Sequence, residues 1–297
     1  MKGLTLTNVD KVFWPEEGYT KGDVIAYYAT IARYILPHLK GRPESLMRQP
    51  GGIKDPGFFQ KNVAREHLPP FIDKESIYSD SNKKDICWLV CDNKETLLWL
   101  ANFGCIELNP WQSRTSALDK PDYLTIDLDP QSGKFEDCIP VALGIHDVLE
   151  GARIRNFAKT SGKRGLHIMI PLGARYSYDQ ARRFAELLVA IAHERMPALT
   201  TLEWRKARRG KKVFLDIARN AKGQTTAAAY SLRPYPGATV SAPLEWKEVK
   251  TGLKPSAFNI ATIVPRLKKK GDLFKGVLGK GVDLTKAIVY LEKGLRQ

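Results

Sequence analysis

The stretch Tyr123-Leu-Thr-Ile-Asp127-Leu-Asp129-Pro130 decides how the rest of the chain is read. Its apolar and polar residues alternate, the mark of a half-buried β-strand. On such a strand Leu124, Ile126 and Leu128 enter a core, while Asp127 and Asp129 project together from the other face. Two carboxylates held that close repel each other, and a divalent cation relieves the repulsion. Oxygen ligands of this kind favour hard ions such as Mg2+ or Mn2+. A D-x-D pair also occurs as a solvated strand end, so its meaning depends on its company.

A third acid lies downstream in Lys211-Lys-Val-Phe-Leu-Asp216-Ile-Ala-Arg219-Asn220. Asp216 interrupts an apolar, strand-like run, and a buried Asp requires a partner or a metal. Arg219 is one such partner. The other reading joins Asp216 to Asp127 and Asp129, three strand-borne carboxylates able to hold two ions about 4 Å apart for in-line phosphoryl displacement.

Between the acids runs Ser161-Gly162-Lys163-Arg164-Gly165-Leu-His167-Ile-Met-Ile-Pro171. Gly162 and Gly165 let backbone approach an anion, and successive N–H groups suit a phosphate nest to which Lys163 and Arg164 add charge. The spacing is not that of a P-loop. His167 alternates with Leu166 and Ile168 and so faces away from them, either as a structural residue or as a donor to phosphate or ribose. After Asp216 comes Gly223-Gln-Thr-Thr-Ala-Ala-Ala-Tyr230-Ser-Leu-Arg233. Arg219 and Arg233 are either triphosphate clamps, since the guanidinium fork matches phosphate oxygens, or members of surface ion pairs.

The bulk composition agrees with an anionic partner. The chain of 297 residues carries 47 Lys and Arg against 32 Asp and Glu, a formal charge of +15. Such an excess favours nucleic acid, because cations displace condensed counterions. No run of about 18 apolar residues occurs, so no membrane span is expected. The N-terminal Met1-Lys2-Gly3-Leu4-Thr5 lacks a leader's apolar core, which points to the cytoplasm and, with the charge, to the nucleoid. Cys87, Cys91, Cys105 and Cys138 form no C-x2-C pair, and no histidine lies between residues 68 and 145. They read as reduced, buried, small hydrophobes rather than zinc ligands.

No repeat or low-complexity linker divides the chain. Helices are expected at 20–39, capped by Thr20 and Asp23, and at 94–102, 135–150 and 177–196. Extended segments are expected at 43–47, at 123–128, in the stretch up to Thr160, at 166–171 and at 212–218, with a helical tail after Pro255 that is basic at Arg266 to Lys270. The irregular alternation suggests a mixed α/β or α+β sheet rather than a doubly wound parallel one.

Taken in order, these motifs resemble motifs I, II and III of the archaeo-eukaryotic primase superfamily. More narrowly, they resemble the polymerase domain of bacterial ATP-dependent DNA ligase D, used in non-homologous end joining. The match extends to Leu6-Thr-Asn-Val-Asp-Lys11-Val-Phe-Trp-Pro15, to Thr20-Lys21-Gly-Asp23, to Phe58-Phe59-Gln-Lys61-Asn62 and to Asn109-Pro-Trp111-Gln-Ser113-Arg114. It therefore covers essentially the whole chain. The resemblance implies an α+β primase-polymerase fold with a mixed or antiparallel, RRM-like catalytic sheet. It implies one domain over 1–297, with an N-terminal α/β lobe at 1–115 and a catalytic lobe at 116–297.

It also implies a template-dependent polymerase fed by nucleoside triphosphates, favouring ribonucleotides and Mn2+ (or Mg2+). Asp127 and Asp129 would bind both metals, and Asp216 would help hold the catalytic one near the primer 3′ hydroxyl. Ser161, Gly162, Lys163, His167, Arg219 and Arg233 would hold the nucleotide. Lys11 and Lys21 would grip the 5′ phosphate of a gapped or broken DNA, with Lys61 alongside. Phe58 and Phe59 would stack on template bases, unless they are core residues. Many relatives have His-Pro-Trp where this chain has Asn109-Pro-Trp111. Asn donates one hydrogen bond without charge, which bears on nucleotide binding and sugar preference. Ku and a DNA ligase are the implied partner proteins. A de novo primase and a non-catalytic DNA-end bridging module are the rival readings.

Overall fold

A computed structural model describes residues 4–294. Met1 to Gly3, within the stretch read for a leader, lie outside the described residues. Contacts divide the chain into two compact units. The first gathers the chain up to Ser116 together with Thr225–Ser241 and Phe258–Asp272; the second holds Ala117–Gln224, Ala242–Ala257 and the chain from Leu273 onward. Segments 225–241 and 258–272, which the sequence division at 115 assigned to the catalytic lobe, thus fold with the first unit. Their backbone finds partners there: Ala228 N donates to Leu108 O, and Leu108 N donates to Ser231 Oγ, both at 2.9 Å.

The first unit opens with a small antiparallel pair, β1 (Val12–Trp14) and β2 (Tyr19–Thr20). Helix α1 (Lys21–Leu39) follows. Its Thr20 hydroxyl accepts from Asp23 N while the Asp23 carboxylate accepts from Thr20 N, the expected capping box. Its buried stripe is Val24, Tyr27, Tyr28, Ile31 and Ile35. Next come β3 (Pro43–Arg48), β4 (Phe58–Gln60), β5 (Asp73–Ser79), β6 (Lys84–Val90), α2 (Lys94–Asn102) and β7 (Cys105–Pro110). The sheet runs β4-β3-β6-β5, with β7 paired to β3, and every pairing is antiparallel. The β5–β6 hairpin was not foreseen, because β5 is almost wholly polar and buries only Ile77.

The second unit begins with β8 (Tyr123–Pro130) and a short 3-10 turn at Phe135–Asp137 that leads into α3 (Cys138–Gly151). Then come β9 (Phe157–Thr160), β10 (Leu166–Pro171), α4 (Tyr178–Arg195), β11 (Thr200–Thr201), β12 (Val213–Asp216) and β13 (Pro243–Leu244). The chain returns to the first unit for α5 (Ile263–Lys270), then ends in the second with α6 (Leu284–Gly294). The second sheet has the order β11-β12-β8-β10-β9-β13. Only β11–β12 is parallel; the other pairings are antiparallel, so the sheet is mixed as expected.

Helices α3 and α4 pack on β8, where Leu124, Ile126 and Leu128 are fully buried. That apolar layer leaves the opposite face of the sheet for polar groups. Cys91, Cys105 and Cys138 are buried, Cys87 is partly so, and all four are free thiols. Among the described residues no helix is long and apolar enough to cross a membrane.

Candidate active site

Directly opposed residues on neighbouring antiparallel strands share a face. In the second unit Asp216 on β12 opposes Asp127 on β8. Asp127 opposes His167 on β10, and His167 opposes Lys159 on β9. One row of four polar side chains therefore crosses four strands. Asp129, two residues beyond Asp127, lies on the same face.

Each aspartate is turned toward a different protein donor. Asp127 Oδ1 is 3.3 Å from His167 Nε2. Asp129 Oδ2 accepts from Gln131 Nε2 at 3.0 Å and lies 3.9 Å from Arg209 Nη1. Asp216 Oδ1 accepts from Ala218 N at 2.8 Å. Among the described residues no three His, Cys, Asp or Glu groups converge tightly enough to enclose an ion as they stand. The donor set nonetheless suits one: three hard oxygen ligands share a face with two of them directly opposed.

The electrostatics mark Asp127 as the strained member. Its carboxyl is pushed up to about 7, first by burial, then by Asp216 and Asp129, with Lys159 and Arg219 pulling the other way. An acid raised by like charges is one that a cation would relieve.

The loop after β9 is built around Ser161. Its hydroxyl accepts from Lys163 N at 3.2 Å and from Gly165 N at 3.0 Å. Two of the N–H groups expected to form a phosphate nest are thus engaged in shaping the loop. Gly162 has φ +78°, a backbone conformation that favours glycine, and a Cβ on Gly165 would lie 2.6 Å from Leu128 O, so Gly165 lets the loop lie against β8. Arg219 is exposed, and its Nη1 donates to Gln224 Oε1 at 3.3 Å.

The remaining expected residues lie in the first unit. Arg233 Nε is 3.1 Å from Glu107 Oε2, although off the hydrogen-bond line. Asn109 on β7 is buried, and its Nδ2 has no protein partner. Lys21 is nearly buried and its Nζ donates to Thr7 O at 2.5 Å; burial first and then Lys11 lower its pKa. Phe58 and Phe59 are 49% and 61% exposed, which removes the core-packing alternative for both. Arg48 lies over the Phe58 ring and exposed Lys61 over the Trp88 ring.

Three residues were missed from the sequence. Lys159 is wholly buried and its Nζ is 2.8 Å from His167 Nδ1. Its signal was a lysine inside an apolar strand just before the Ser-Gly loop. Arg209 donates to Glu203 O and Trp204 O, both at 2.8 Å, and stacks on Phe214 at 3.5 Å. Asn220 accepts from Thr125 N at 2.8 Å and donates to Thr125 O at 2.7 Å, which clamps the loop carrying Arg219 to β8. Neither contact has a local sequence signal.

A family profile described as LigD, primase-polymerase domain, matches residues 20–274. The bifunctional non-homologous end joining protein LigD of Bacillus subtilis is 34% identical over 271 residues, covering 90% of this chain and 43% of that protein. The multifunctional non-homologous end joining DNA repair protein LigD of Mycobacterium tuberculosis is 33% identical over 282 residues, covering 92% of this chain and 36% of that protein. The chain thus spans less than half the length of these relatives. Among solved structures, the polymerase domain from Mycobacterium tuberculosis Ligase D in complex with DNA is similar with a TM-score of 0.88 and 32% identity, covering 95% of this chain and all of that one.

Proposed function

Because the chain belongs to the LigD primase-polymerase domain family, we propose that it is a template-directed nucleotidyltransferase that extends 3′ ends at gaps and double-strand breaks in non-homologous end joining. The observation that carries this reading is the row Asp216, Asp127, His167 with Asp129 beside it, on the sheet face opposite Leu124, Ile126 and Leu128. A carboxylate directly opposite another is a standing electrostatic cost, tolerated where a ligand relieves it.

Asp127, Asp129 and Asp216 would hold two divalent ions, Mn2+ or Mg2+. Such ions, when bound, lower the pKa of an attacking hydroxyl and neutralise charge on a triphosphate. The protein's own part is positioning and charge. Asp127 would turn its carboxylate from His167 to hold an ion, and His167 Nε2 would be left to donate to the triphosphate, with Lys163 and Arg219 adding positive charge. Ser161 and Gly162 hold the loop that presents them.

In the first unit, Arg233 and Asn109 keep the nucleotide-binding role that the resemblance gives them. Asn109 Nδ2 is a buried donor that lacks a protein acceptor and suits a sugar hydroxyl. Lys11 and Lys21 serve the 5′ phosphate, and a Lys21 whose charge is disfavoured by burial and by Lys11 gains from an anion. Exposed Phe58 and Phe59 offer stacking surfaces for template bases, with Lys61 on the backbone. Ribonucleoside triphosphates and Mn2+ are the preferred pair in this reading, and Ku and a DNA ligase are the partner proteins.

The test is single-nucleotide addition to a gapped duplex, comparing ribose with deoxyribose, Mn2+ with Mg2+, and a phosphorylated with an unphosphorylated gap. Templated addition preferring ribonucleotides and the 5′ phosphate is expected. Duplex binding without addition under any condition would favour the end-bridging module, and efficient synthesis without a primer would favour a primase.

A further inference from the structure

A lysine with no exposed surface needs a partner that accepts its protons. Lys159 finds one in its cross-strand neighbour: its Nζ lies 2.8 Å from His167 Nδ1. The other ring nitrogen, Nε2, lies 3.3 Å from Asp127 Oδ1. An ammonium has three donors and no acceptor, and an ionised carboxylate has acceptors only. The two contacts therefore demand the same tautomer. Nδ1 presents its lone pair to Lys159, and the ring proton sits on Nε2, aimed at Asp127. Lys159 acts on Asp127 as a cation.

We propose that Lys159 is a positioning residue that locks His167 as an Nε2–H donor. We further propose that this N–H passes from Asp127 to a phosphate oxygen of the incoming nucleotide when Asp127 turns to a cation. The handover rests on the function proposed above; the lock does not. Without the lysine, a neutral ring divides between two tautomers, and only one of them presents Nε2–H.

The lock is read by labelling the histidine ring nitrogens with 15N and recording long-range 1H–15N correlations on protein free of ions and nucleotide. His167 is expected in the single Nε2–H form. A proton on Nδ1 in the wild-type protein would overturn the lock, and that result needs no variant. K159R, which keeps the donor, retains the tautomer. K159M, which keeps only the stem, shifts His167 to a mixture or to the charged ring. An unchanged tautomer in folded K159M also sinks the proposal.

The handover is read from kinetics. K159M should raise the KM for nucleotide by about tenfold or more while kcat stays within about threefold, and K159R should restore KM. An unchanged KM in K159M, with the tautomer lost, would leave the lock standing and refute the handover. That outcome would place the failure in the triphosphate role of His167.

Discussion

Glu107 on β7 and Asp127 on β8 are both strand acids with little exposed side chain, yet their neighbours differ in sign. Glu107 has a 7% exposed side chain, and the nearly buried Arg233 stands 3.1 Å away. Asp127 has a 27% exposed side chain, and the residue directly opposite is another acid, Asp216. In the first unit the fold supplies its own cation, so the charge is closed. In the second it supplies a second anion, moderated by the positive charges of Lys159 and Arg219. An acid paired by the fold holds structure together. An acid opposed by the fold holds a place for something that arrives from outside.

The largest effects follow from removing that place. Asp127→Ala and Asp216→Ala should each lower nucleotide addition by at least about 10³-fold, on the order of 4 kcal/mol of barrier. Gapped-duplex affinity, followed by fluorescence anisotropy, should stay within about threefold, because the proposed DNA contacts are cations and aromatics elsewhere. Variants that still extend primers would dissolve the contrast, because Asp127 would then be one more structural acid.

Glu107 should behave in the opposite way. Glu107→Ala leaves a nearly buried guanidinium without its counter-charge, and breaking such a pair costs about 3 kcal/mol. Urea denaturation should show that loss at saturating or zero divalent ion alike. A neutral result would mean that Arg233 does not depend on Glu107, in keeping with its Nε lying off the hydrogen-bond line.

Much of the second unit was legible because its signals are local. Alternation in 123–129 gives both the strand and the shared face of Asp127 and Asp129, and the capping pair Thr20 and Asp23 marks a helix start. The opposition of Asp216 to Asp127 was not legible, because register depends on which residues of 213–216 meet β8. Lys159 was hidden for the same reason: its proximity to His167 is a register fact, and an isolated lysine reads as surface. The pairing of Arg233 with Glu107 requires residues 225–241 to fold with the first unit, a long-range event with no periodic trace. The hairpin β5–β6 was missed because solvated strands rich in Asp, Lys and Glu lack the apolar alternation on which strand recognition rests.

The smallest predicted effect separates the two acids most cleanly, because it changes sign. Asp127 has a folded pKa near 7, raised above its unfolded value near 4. The folded protein therefore binds the proton more tightly, and this group makes ion-free stability fall as pH rises from about 4 to about 7. Below that window the carboxyl is neutral and costs nothing; above it the cost is complete. Asp127→Asn removes the charge and should stabilise the ion-free protein at pH 8. Partial exposure and the weakened His167 contact reduce the gain to on the order of 1 to 2 kcal/mol, a few degrees in melting temperature. At pH 4 the gain should vanish. With saturating Mn2+ at pH 8 the order should reverse, because only the wild type gains the free energy of ion binding. Melting curves in chelator and in Mn2+, at both pH values, test this directly. A variant no more stable than wild type in chelator at pH 8 would show that Asp216 imposes no burden on Asp127, and the two acids would then differ in name only.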